Sequence, residues 1–149
     1  MKNNLLIFFF LLFVNCSGYE PIFSSKDFKY SFNEIIFDED NDISKKLSVK
    51  LMKFSSQKQE KIKMKIDTKV NEIILSKDTK GDPLIFEINI QALIDIEFPD
   101  NEKRILKFNE KFSFNNQTNK FELNQYKKTI KENLTDKIFD KIILQLRLI

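Results

Sequence analysis

The sequence predicts an α+β fold: a two-layer sandwich in which a four-stranded, mostly antiparallel sheet carries two helices on one face. Three observations lead there. Four stretches alternate apolar and polar residues with strand period, and two others repeat apolar residues every three to four positions. They follow one another in the order β-α-β-β-β-α. Each strand has only one apolar face, so both helices must cover the same side of the sheet and leave the other side polar.

The first strand falls at residues 28–37, where Phe28, Tyr30 and Phe32 alternate. An acidic stretch with Asp38, Glu39, Asp40 and Asp42 follows and reads as a solvated turn. Asp42 is the expected cap of the first helix, whose apolar positions Ile43, Leu47, Leu51 and Phe54 share one face. Residues 55–59 end it. Residues 60–76 alternate again, with Ile62, Met64, Ile66 and Val70 on one side and Lys61, Lys63, Lys65 and Lys69 on the other. The phase slips at Asn71-Glu72, because Ile73 and Leu75 are odd-numbered, and a bulge is expected there.

The run KDTKGDP at 77–83 is the clearest turn signal. Residues 84–98 give the most regular strand, with Phe86, Ile88, Ile90, Ala92, Ile94, Ile96 and Phe98 in alternation. A five-residue loop at 99–103 returns the chain into 104–114. That loop sets Phe98 against Arg104, Ile96 against Leu106 and Ile94 against Phe108, with Asp95 facing Lys107 and Gln91 facing Lys111. The last helix is expected over 124–148, striped by Tyr126, Ile130, Leu134, Ile138 and Ile142 and widened by Phe139, Ile143 and Leu146. The expected core joins Ile130, Ile138 and Ile142 to Ile88, Ile90, Ile94 and Phe108.

Composition narrows the chemistry. The chain has no His and no Trp, two Gly and one Cys. Ser-His-Asp and Cys-His relays cannot be built, nor can a His/Cys zinc site. No phosphate-cradling glycine loop is present. A single cysteine excludes an intramolecular disulfide. A formal charge of +3 is too small to mark a nucleic-acid binder. Composition thus leaves none of the usual catalytic relays and no expected metal or cofactor, while an enzyme built only on Asp, Glu, Lys, Ser or Tyr stays open.

The amino terminus points to a membrane surface. Residues 5–14, LLIFFFLLFV, form an unbroken apolar run behind Lys2. A membrane span needs roughly 20 such residues, so this run suits the core of a secretory signal. It ends in Phe13-Val14-Asn15-Cys16, which resembles the lipobox of bacterial lipoproteins. That resemblance makes Cys16 the lipid attachment point. The expected organisation is a signal peptide at 1–15, a lipid-anchored tether at 16–27, and one α+β domain at 28–149.

The tether reads Cys16-Ser17-Gly18-Tyr19-Glu20-Pro21-Ile22-Phe23, and Ser113-Phe114-Asn115 closes the last hairpin before the long helix. With the element order, these residues resemble the LPS-assembly lipoprotein (LptE) family in the form found in alphaproteobacteria. Its members open the mature chain on Cys-Gly-aromatic-x-Pro-Leu-Tyr and end the hairpin near Ser-Tyr-Asn. The resemblance implies a non-enzymatic outer-membrane lipoprotein on the periplasmic side that plugs the large β-barrel LptD and supports its assembly in lipopolysaccharide transport. Lipid A carries phosphates, so Lys61, Lys63, Lys65 and Lys69 become the candidate lipopolysaccharide contact. The competing reading is a free-standing periplasmic lipoprotein that binds a ligand or peptide along a sheet edge.

Overall fold

The computed structural model describes residues 28–55 and 60–149. It contains β1 (Tyr30–Phe37), α1 (Asp42–Phe54), β2 (Glu60–Lys77), β3 (Pro83–Glu97), β4 (Lys103–Asn115) and α2 (Lys120–Arg147). The strands form one open sheet in the order β1-β2-β3-β4. β1 runs parallel to β2, while β2–β3 and β3–β4 are antiparallel. The parallel pair follows from α1, which fills the connection and returns the chain to the same end of the sheet. The fold is thus the expected α+β arrangement with a mixed sheet.

Both helices cover the face formed by the even-numbered residues of β2 and β3. Ile62, Ile88, Ile90, Ile94, Leu134, Ile138 and Ile142 are all essentially fully buried in one cluster. α1 packs over β1 and β2, and α2 packs over β3 and β4. Phe108, expected deep in the core, is only partly buried, and Tyr126 is 37% exposed.

Several local expectations shift. Asn41, not Asp42, caps α1: its Oδ1 accepts from the backbone N–H groups of Ile43 and Ser44. α2 begins at Lys120, about a turn earlier than expected, because Asn119 caps it. The bulge in β2 lies between Ile74 and Ser76 and not at Asn71-Glu72. Glu72 keeps the core-side phase because the pairing with β3 runs unbroken through Ile74, and its carboxylate pairs with Lys127 of α2. Ile73 therefore faces the open side, 47% exposed.

The β3–β4 loop is also shorter than expected. Phe98 N–H donates to Glu102 O at 2.9 Å, and Asn101 N–H donates to Phe98 O at 3.0 Å. Asn101 takes φ 65°, a conformation Asn tolerates better than most residues. The loop is three residues long, and the register moves by two: Ile96 faces Arg104, Ile94 faces Leu106 and Ala92 faces Phe108. An even shift keeps every side chain on its face. It does break the expected charge pairs, since Lys107 meets Leu93 and Lys111 meets Asn89. The β2–β3 turn has the same build, with Gly81 at φ 90° and Asp78 Oδ1 accepting from the N–H groups of Lys80 and Asp82.

The two helices are tied by Lys46–Glu132 at 3.0 Å and Lys50–Asp136 at 2.5 Å. The Lys46 hydrogen bond holds the Glu132 carboxyl below its ordinary range. That contribution is present above the unfolded pKa and is lost as pH falls through the folded one. Asp140 behaves oppositely: burial, with Asp136 adding and Lys50 opposing, pushes its carboxyl up. Folding disfavours its charged form, so this site favours folding more as pH falls through the raised pKa. Asp140→Asn is expected to raise Tm at pH 7, and thermal scans should show the gain fading in acid.

Candidate functional site

The uncovered face of the sheet is built from odd-numbered residues of β2, β3 and β4 and from β1 on either side of its bulge at Asn33. Register sets its side chains in rows. Glu34, Lys63, Glu97 and Lys103 form one row, and Ile36, Lys65, Asp95 and Ile105 the next. Beyond the end of β1 come Asp67-Leu93-Lys107, Lys69-Gln91-Asn109 and Asn71-Asn89-Lys111.

Lys61, Lys63, Lys65 and Lys69 are all exposed on this face, as their alternation predicts. Alternate residues of a strand stand about 7 Å apart, so the row is long and regular, with Asp67 in its fourth place. Lys63 lies 3.8 Å from Glu97, which also meets Lys103 at 3.5 Å. Among the described residues, Lys61, Lys65 and Lys69 make no ion pair. Further along, Glu87 is largely buried beneath Lys111 at 3.6 Å and accepts from the Ser113 hydroxyl.

Two shallow hollows open on the face. One, of about 480 Å³, lies among Glu34, Ile36, Lys65, Asp95, Lys103 and Ile105. The other, of about 370 Å³, lies over Leu93 between Asp67, Lys69 and Lys107. Each sets an aliphatic floor among charged side chains. Such a surface can offer ammonium groups to anions, but the interleaved carboxylates keep it from forming a single-sign field. The sequence had singled out the lysines and missed Glu97, Asp95 and Glu34. Those residues meet the lysine row only once the strand register is known. Cys16 lies outside the described residues.

No protein-family model matches the chain, and no curated protein is similar to it in sequence. Solved structures do match. The minor lipoprotein of Acinetobacter baumannii superposes with a TM-score of 0.59 at 14% identity, over 80% of this chain and 90% of that one. A lipoprotein described as putative from Caulobacter crescentus gives 0.56 at 12% identity, over 83% and 88%. Rare lipoprotein B of Shewanella oneidensis gives 0.55 at 14% identity, over 76% and 92%. This chain has the fold of those lipoproteins over most of their length. The matches do not single out the alphaproteobacterial form that the tether motif resembles.

Proposed function

We propose that this chain is an LptE-like outer-membrane lipoprotein, acylated at Cys16, that plugs the LptD β-barrel and supports its assembly for lipopolysaccharide transport. The observation that carries the reading is the fold shared with rare lipoprotein B and the minor lipoprotein, joined to a lipobox-like Cys16. The open charged sheet face supports it, because the lumen of a large barrel is polar and such a face can rest there without stripping charges of partners. Absence of His and a single Cys fit a structural role better than a catalytic one.

Mild detergent extraction and pull-down test the reading. The expected product is a one-to-one complex with a large β-barrel, and depletion should lower assembled barrel and surface lipopolysaccharide together. Intact-mass analysis should show residues 1–15 removed and acyl chains on Cys16, and Cys16→Ser should abolish that modification. Recovery of the protein alone, with barrel and surface unchanged on depletion, would favour a free-standing ligand- or peptide-binding lipoprotein.

The lysine row is the proposed lipopolysaccharide contact. Changing Lys61, Lys63, Lys65 and Lys69 together to Gln is expected to weaken lipopolysaccharide binding about tenfold at moderate salt, from two phosphate contacts of roughly 0.7 kcal/mol each. Equal affinity of variant and wild type in direct binding would mark the row as a solvated strand face.

A further inference from the structure

β1 covers only part of β2. Its pairing runs from Tyr30 beside Glu60 to Phe37 beside Ile66, and β2 continues to Lys77. Among the described residues, no strand lies beside the rest of β2 on that side. The direction of its main-chain groups follows from the hydrogen bonds. Glu60 N–H donates to Lys29 O on the β1 side, and Thr68 O accepts there from the Asn41 side chain at 2.8 Å. Alternate residues of a strand point their N–H and C=O the same way. Val70 and Glu72 therefore present theirs to the open edge. β3 agrees: its even-numbered residues bond toward β4, as Phe98 N–H to Glu102 O and Asn116 N–H to Leu84 O show, which leaves the odd-numbered ones for β2.

Open edges are normally guarded by charge, proline or a bulge. β4, the other edge, carries exposed Lys103, Lys107 and Lys111 along its outer row. The β2 edge reads Val70-Asn71-Glu72-Ile73-Ile74-Leu75-Ser76, with no Lys, Pro or Gly. Its one charge, Glu72, is partly exposed and is matched by Lys127 of α2. Ile73, Ile74 and Leu75 are 47%, 44% and 49% exposed. The bulge comes only at the far end.

We propose that the β2 edge from Val70 to Leu75 is a strand-addition site for an extended segment of a protein partner. Main-chain donors and acceptors in alternation are matched by another main chain, whereas an acyl chain offers them nothing. The segment is apolar at its centre, where it meets Ile73 on the open face and Ile74 on the helix face. Acidic residues suit its ends, where Lys69 and Lys77 stand exposed without ion pairs among the described residues.

The test uses the full-length lipoprotein in the envelope of its own cell. A photo-reactive benzophenone residue is placed at Asn71 or, separately, at Ile73. Each should join one partner protein, and mass spectrometry should find the attachment point displaced by two partner residues when the probe moves by two. With the probe at Asn71, Glu72→Pro, which removes an edge N–H, should abolish the adduct, while Glu72→Gln, which loses only the ion pair, should keep it. Should Glu72→Pro fail to fold, the double variant Ile73→Lys with Leu75→Lys replaces it and should also abolish the adduct. No adduct, an adduct within one chain or to a second copy, a displacement other than two, an adduct that survives Pro or the double Lys variant, or one lost with Gln overturns the proposal. The partner's identity is a separate result. Adducts to a protein other than a barrel would end the plug reading and leave the edge assignment standing.

Discussion

Ile90→Asp is expected to destabilise the domain by at least about 4 kcal/mol, enough to leave it largely unfolded in mild urea. Ile90 is 0% exposed at the middle of β3, between Val70 on β2 and Glu110 on β4. A carboxylate there loses its water and finds no cation of its own. It also stands directly across from Glu110, whose carboxylate is already paired with Lys141 of α2. Like charges opposed across a sheet repel. The control is Leu93→Asp, three residues along the same strand but on the open face and 37% exposed. It places the carboxylate between Lys107, which attracts it, and Asp67, which repels it, in a solvated position, and should cost under about 1 kcal/mol. Urea denaturation of both variants decides the face assignment. Comparable losses in the two would show that β3 does not bury its even-numbered side.

The assignment of faces was legible because side-chain alternation needs no partner to read. The run from Phe86 to Phe98 names its own buried side, and the repeat from Ile130 to Ile142 names the stripe that covers it. What depended on a second strand was harder. The register of β3 against β4 turned on Asn101 accepting a positive φ, which closed the loop two residues sooner than composition suggested. The phase of β2 past Val70 turned on its unbroken pairing with β3 as far as Ile74, and the partner that Glu72 finds on the helix side, Lys127, lies more than fifty residues away. Nothing local in β1 marks it as parallel, since its direction is set by the helix that follows.

The same division runs through the candidate site. The lysine row was visible in β2 alone. Its neighbours Glu34, Asp95 and Glu97 belong to other strands, and they change the surface from a cationic strip into a chequered one. The open edge was invisible for a related reason. It exists only because β1 stops at Phe37 while β2 runs on, and no pattern within either segment states how far they overlap.

Asn41→Ala is expected to cost about 2–3 kcal/mol, more than an ordinary helix cap, because this side chain ties two elements together. Its Oδ1 accepts from the N–H groups of Ile43 and Ser44 at the start of α1 and from the Thr68 hydroxyl of β2 at 2.9 Å. Its Nδ2 donates to Thr68 O at 2.8 Å, just beyond the last residue of β1. The Ser44 hydroxyl, fully buried, completes the cluster at 2.8 Å from Thr68 Oγ1. Alanine removes the cap, worth about 1 kcal/mol. It also strips the Thr68 carbonyl of its side-chain partner and leaves the Thr68 hydroxyl only Ser44, in a place where burial makes such a loss expensive. Asn41→Asp separates the two roles. The carboxylate still caps α1 and still accepts from Thr68, but it cannot donate to Thr68 O, so about half the loss should remain. Chemical denaturation gives both numbers, and hydrogen exchange adds a local one. In the Asp variant, amide protection should fall in β2 around Thr68 and Val70 while α1 keeps its own. If α1 frays instead, Asn41 acts as a helix cap alone, and the start of the open edge is held by something other than its amide.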